Sequence, residues 1–198
     1  NLDENDTPGV TLFYNGVDIE RIPLSSLATS GTLAAYEFNG SEDGWVPGSA
    51  YPEFTAPEVS STPQSLYLGV MNTNTFGFWT RDTGIPITTG TLYCATFTIY
   101  SDAPARDETP DMRFRVNTES FSHTAMLRVE NSGNANMSPM IIPREYKVYF
   151  YPDQGILEQD ELENIVLSVD IINLSDKAER GTGIYIDRVV LESLVPPS

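Results

Sequence analysis

Apolar and polar residues alternate in short runs along most of this chain, and Gly, Pro, Asn and Asp separate the runs. A period of two places successive side chains on opposite faces of an extended strand, so each run reads as a half-buried antiparallel strand closed by a turn. The pattern predicts strands near 10–15, 17–22, 33–39, 65–71, 75–80, 91–100, 111–117, 124–130, 145–151, 164–172 and 183–193. A helical reading suggests itself at Leu157 to Asn164 alone. Turn chemistry stands at Asp82-Thr83-Gly84, Thr88-Thr89-Gly90, Asp102-Ala103-Pro104, Asn131-Ser132-Gly133 and Pro152-Asp153-Gln154-Gly155. Many strands at this spacing, without helices between them, predict an all-β antiparallel β-sandwich rather than a parallel α/β sheet.

With 198 residues the chain can bury one sandwich core well, whereas two full domains would leave both small. One domain with an extension is the expectation. The extension is the N-terminal stretch, where Val10 to Tyr14 and Val17 to Ile22 read as strands joined at Asn15-Gly16, a favoured hairpin pair. Two readings of this hairpin are open. It is an extra edge on the chain's own sheet, or it is an arm that adds strands to a neighbouring copy through Val10, Leu12, Tyr14, Val17, Ile19 and Ile22.

Two motifs bracket the remainder: Tyr36-Glu37-Phe38-Asn39-Gly40-Ser41-Glu42-Asp43-Gly44-Trp45 and Gly183-Ile184-Tyr185-Ile186-Asp187-Arg188-Val189-Val190-Leu191. The layout resembles the galactose-binding-like jelly roll of calcium-containing carbohydrate-binding modules, in which an opening aromatic strand ending in Gly-Trp pairs with a closing Tyr-Ile-Asp-x-Val strand. The resemblance covers roughly residues 36–195 and divides the chain into an extension, 1–35, and a jelly-roll domain, 36–198. It implies a structural calcium between first and last strands, with Glu37 and Asp187 as ligands and Asn39 and Ser41 as further oxygen donors. The family's closing motif often carries Asp-Asp where this chain has Asp187-Arg188. The competing reading pairs Glu37 and Asp187 with nearby arginines.

Charge narrows the partners. The chain has 28 acidic and 11 basic residues, a formal charge of -17, which repels nucleic acid and anionic membrane surfaces. No nucleic-acid partner is expected. No membrane insertion is expected either, because the most apolar run, Ile165 to Ile172, is broken by Ser168 and Asp170. Cys94 is the one cysteine, so an intrachain disulfide is excluded, and its strand context predicts a small core residue. The chain starts at Asn1 without an initiator methionine, as a secreted chain does after its signal peptide is removed, so an extracellular location is expected. Asp153, Glu158, Asp160, Glu161 and Glu163 form an acidic cluster that is either solvated or relieved by a cation. The single histidine, His123, has neither a nucleophile elbow nor a metalloprotease motif beside it, and no enzymatic activity is expected.

Sugar recognition needs aromatic faces beside hydrogen-bonding groups. Trp45, Tyr51, Trp79, Tyr149 and Tyr151 supply aromatics, while Arg113, Arg115 and Asn117 alternate with Met112, Phe114 and Val116 and so share one strand face. Arg128 is a further candidate from the neighbouring run. These arginines could equally neutralise acidic surface, and a tryptophan in Phe76-Gly77-Phe78-Trp79 is more often core than platform. Two functions therefore compete. The leading expectation is a non-enzymatic subunit of an extracellular filament whose partners are copies of itself, built by strand addition through the N-terminal arm. The alternative is a secreted, calcium-stabilised carbohydrate-binding module whose partners are glycans.

Overall fold

β-Branched and aromatic residues in period-two runs, cut by turn residues, leave the chain no arrangement but paired strands. In the structure, a computed structural model, residues 9–14, 17–23, 28–49, 52–62, 64–72, 74–101, 110–120, 124–129, 143–152, 163–173 and 180–195 are described, those before 29 by backbone only. They contain no helix. One sheet has the order β10-β9-β12-β7-β4, formed by Thr124–Val129, Asp111–Thr118, Asn164–Asn173, Thr75–Pro86 and Val46–Gly48. The second has the order β11-β8-β13-β6-β5, formed by Arg144–Phe150, Leu92–Ser101, Gly183–Val195, Ser65–Gly69 and Glu58–Thr62. β3, Ala28–Tyr36, also lies along β13, beyond the end of β6. All strand pairs are antiparallel. The expected all-β jelly-roll sandwich is what the chain forms.

The core lies between the sheets. β12 contributes Ile165, Leu167, Val169 and Ile171, β9 contributes Met112, Phe114 and Val116, and the opposite sheet answers with Leu66, Leu68, Ala95, Phe97, Ile99, Ile184, Ile186, Val189 and Leu191. Phe97 and Phe114 meet across the interface at 5.3 Å between ring centroids. Trp79 of β7 is buried, and its indole Nε1 donates to the carbonyl of Tyr67 on β6 at 2.9 Å, so one side chain ties the two sheets together.

Both bracketing motifs prove to be structural. In the opening one, Phe38 (φ 51°), Gly40 (φ 86°), Asp43 (φ 48°) and Gly44 (φ 76°) turn the chain sharply. Asp43 accepts from the Phe38 amide at 3.0 Å and from Ser41 Oγ at 2.6 Å, which holds the loop closed. Trp45 is thereby folded into the core, edge-on to Tyr36 at 5.8 Å and Phe38 at 6.0 Å. In the closing motif Gly183 faces Gly69, and the ring of Tyr67 lies across both. A Cβ on Gly183 would stand 2.4 Å from the Leu68 carbonyl oxygen and 2.6 Å from the Tyr67 ring. Gly183→Ala is therefore expected to lower stability by about 1–3 kcal/mol, as overpacking does, and urea unfolding measures it directly.

The structure departs from the sequence expectations at several points. β3 starts at Ala28, so residues 28–35, assigned above to the extension, form a strand beside β13. β4 and β5 are additional strands. Asp82-Thr83-Gly84 does not end β7: Asp82 Oδ1 accepts from the Gly84 amide at 2.9 Å, Gly84 takes φ 66°, and the register against β12 slips between Asn164 and Val166. The turn signal encodes a β-bulge within a long strand. β1, Gly9–Tyr14, and β2, Val17–Pro23, form the expected hairpin, but as a two-stranded sheet of their own rather than as an edge of either large sheet. Cys94 is buried, yet it alternates with core-facing Tyr93 and Ala95 and so sits on the outward side of its sheet, where burial pushes its thiol pKa up. Of the segment read as helical, 157–162 lies outside the described residues and Asn164 opens β12.

Candidate functional site

Alternation along β9, β12 and β7 sends half of their side chains away from the core, and these gather on the outer face of the five-stranded sheet. Registers place them in cross-strand rows. One row runs Arg128, Arg113, Asp170, Phe78 and Gly48 from β10 to β4, and the next runs Met126, Arg115, Ser168, Thr80 and Val46. At a strand spacing of about 4.8 Å the five strands make a face about 19 Å wide. Three arginines thus converge on one surface of a chain with only 11 basic residues.

Asp170 lies at the centre of this face with no solvent exposure. A buried carboxylate must be paired, and two guanidinium groups close over it. Arg113 donates through Nε at 2.9 Å and Nη2 at 2.8 Å to Oδ2, while Arg115 donates through Nη2 at 2.9 Å to Oδ1. Burial pushes the Asp170 carboxyl above its ordinary value, and Arg115 and Arg113 pull it back. Arg113 also stands over the ring of Phe76 at 5.1 Å, and Phe76 packs on Phe54 at 5.6 Å. Phe78 is half-buried and its ring lies over Gly48, where a Cβ would come within 2.5 Å of it. Met126 and Val46, 53% and 56% exposed, flank the face as solvent-facing apolar groups. Phe76 is itself buried, so the surface offers oriented guanidiniums, the half-buried Phe78 ring and the apolar edges of Met126 and Val46, a combination suited to a sugar ring's alternating hydroxyls and C–H faces.

The sugar-contact residues expected from sequence divide in two. Arg113, Arg115 and Asn117 do share the outer face, and Arg128 joins them opposite Arg113, held by Asp111 at 3.6 Å. Asn117 is fully buried there, donating from Nδ2 to the Thr118 carbonyl at 2.8 Å, and its Oδ1 is buried without a protein partner. Trp45 and Trp79 are core residues, because their motifs pack inward, and neither offers a face to a ligand. Tyr151 is 38% exposed but follows β11, on the other sheet. Asp170, Phe76 and Phe78 were missed. The signal for Asp170 was available: a carboxylate in the middle of the apolar run Ile165 to Ile172 has to find cationic partners.

The residues expected to hold calcium do not fit that ion as placed. Glu37 Oε1 faces Arg188 Nη2 at 3.6 Å, and Glu37 Oε2 accepts from Asn39 Nδ2 at 3.3 Å, so both carboxylate oxygens are engaged within the chain. Ser41 Oγ is turned to Asp43, and Asp187 sits at the bulge of β13 between Ile186 and Arg188. Among the described residues no three acidic, His or Cys side chains are grouped as a metal site. For Glu37 the arginine pairing is the arrangement observed. Asp153, Glu158, Asp160, Glu161 and His123 lie outside the described residues, while Glu163 accepts from Ser120 Oγ at 2.8 Å. The arm positions Val10, Leu12, Tyr14, Val17, Ile19 and Ile22 lie in the β1–β2 hairpin, with Val10 opposite Ile22 and Tyr14 opposite Val17. No helix among the described residues is long and apolar enough to cross a membrane.

No protein-family model matches the chain, and no curated protein does. Solved structures do. A xylan-binding module, CBM15, is 12% identical with a TM-score of 0.52, the match covering 85% of this chain and 100% of that one. A Stig cyclase, Fisc, from Fischerella sp. TAU is 12% identical with a TM-score of 0.51, covering 85% of this chain and 92% of that one. The enzymatically active domain of tailspike protein 4 from bacteriophage CBA120 is 10% identical with a TM-score of 0.51, over 77% of this chain and 19% of that far longer one. Other carbohydrate-binding modules match at the same level. At these identities the likeness is one of fold: the chain is a jelly-roll β-sandwich of the architecture that carbohydrate-binding modules share.

Proposed function

We propose that the protein is an extracellular, non-catalytic carbohydrate-binding module that holds a polysaccharide chain along the outer face of the five-stranded sheet. The observation that carries this reading is the convergence of Arg113, Arg115 and Arg128 with the half-buried Phe78 on the side of the sheet that faces away from the core. Guanidinium donors bond ring hydroxyls, and the half-buried Phe78 ring covers a C–H face. The architecture shared with carbohydrate-binding modules supports the same reading. The filament reading draws no comparable support, and the β1–β2 hairpin has no part in the proposed site.

Two results test the proposal. Affinity electrophoresis through gels containing soluble plant and bacterial polysaccharides is expected to retard the protein in at least one, and Phe78→Ala to weaken that retardation about tenfold or more, as loss of a central aromatic contact does. Migration unaffected by every polysaccharide would overturn the assignment. A chain starting at Ala28 is expected to bind as the full chain does and to remain monomeric by light scattering. Loss of binding on removing residues 1–27 would place the hairpin in the site and contradict the reading.

A further inference from the structure

We infer that the glycan is an acidic one, its uronate carboxylate seated against Arg113 and Arg115. The inference rests on the proposed binding function and names the substrate class for that same face. Among the described residues, the hydrogen bonds and ion pairs of both guanidiniums run to a single carboxylate, that of Asp170. Counted over the described side chains, two positive charges against one negative leave one unit of positive charge in excess around Asp170. The neighbouring Arg128 and Asp111 pair at 3.6 Å. Among the described residues Asp82 also has an acidic side chain on this face; it belongs to the row of Asn117 and Val166, and its Oδ1 is engaged by the Gly84 amide. By strand and row spacing it lies roughly 12 Å from the arginine pair, about a Debye length away.

The surplus charge sits in a partly dehydrated place. The side chains of Arg113 and Arg115 are 26% and 18% exposed, so water compensates them less than it would at an open surface. A second carboxylate, arriving with the ligand, would complete the neutralisation with charge-assisted hydrogen bonds that are stronger than those to a hydroxyl. A neutral sugar leaves the excess uncompensated. The rest of the chain, at a formal -17, repels polyanions over distance, so the preference is for isolated uronate substituents on an otherwise neutral chain rather than for a continuous polyuronate.

The test is calorimetric titration of the full chain with three probes: a linear β-1,4-xylo-oligosaccharide, the same oligosaccharide carrying one glucuronosyl branch, and an oligogalacturonate. The branched probe is expected to bind at least tenfold tighter than the linear one at low salt, as a charge-assisted bond implies, and to lose most of that margin in 0.5 M sodium chloride. Arg115→Gln is expected to bring the two affinities together, its fold being checked by thermal unfolding. The salt dependence of the unaltered protein tests the inference even if that variant unfolds. Equal affinity for linear and branched probes, or a margin indifferent to salt, would overturn the acidic preference while leaving glycan binding intact. Tightest binding of the oligogalacturonate would overturn the isolated-substituent part. Absence of binding to all three would overturn the inference together with the reading beneath it.

Discussion

Trp79→Ala is expected to remove about 3–5 kcal/mol of folding free energy. The indole is 3% exposed, belongs to the core cluster, and spans the gap between the sheets to donate to the Tyr67 carbonyl at 2.9 Å. Truncation leaves a cavity that flanking β-strands cannot collapse into, because each is held in its ladder on both sides: β7 pairs with β12 and β4. Trp79→Phe keeps most of the buried area and loses the hydrogen bond, so its cost is expected nearer 1 kcal/mol. Since a domain of this kind has about 5–15 kcal/mol in total, the alanine variant unfolds at a much lower urea midpoint with an unchanged slope. A loss below about 1 kcal/mol for Trp79→Ala would mean that the indole is not core.

Asp170→Ala is expected to damage stability and ligand binding together. The carboxylate is inaccessible to a ligand, so its influence passes through Arg113 and Arg115, which it holds side by side. Removing one member of a buried ion cluster leaves the others uncompensated and costs about 3–5 kcal/mol in enclosed settings. Here both arginines retain some solvent contact, at 26% and 18%, and about 3 kcal/mol is the expected loss. Asp170→Asn keeps an acceptor of the same shape and is expected to lose less stability, yet to change glycan affinity, because the charge balance at the site has shifted. Calorimetric titration beside urea unfolding separates the two effects. Unchanged affinity in a folded Asp170→Asn protein would show that Asp170 has a structural role alone.

The outer face was half legible in the sequence. Period-two alternation in 111–117 was enough to put Arg113, Arg115 and Asn117 on one side and Met112, Phe114 and Val116 on the other, because a strand's geometry leaves no third choice. What alternation within a strand cannot reveal is which strands lie beside it. Phe76 and Phe78 join the arginines only because β12 sits between β9 and β7, a long-range pairing with no local signature. The two tryptophans illustrate the converse. Trp45 and Trp79 are buried because of how a left-handed loop and an intersheet contact fold them inward, and side-chain chemistry alone fits platform and core equally well. The bulge at Asp82-Thr83-Gly84 shows that turn chemistry specifies local backbone shape, whereas neighbouring strands decide whether that shape ends a strand or bends it.

The central claim, that a glycan lies on the outer face of the five-stranded sheet, is tested most directly by following arginine side-chain Nε–Hε resonances during titration with the glucuronosyl-branched xylo-oligosaccharide. Arg113 and Arg115 are expected to shift progressively and saturate, while Arg188 on β13 and Arg144 on β11, both on the opposite sheet, stay in place. Saturating shifts at Arg188 or Arg144 with Arg113 and Arg115 unmoved would contradict the claim.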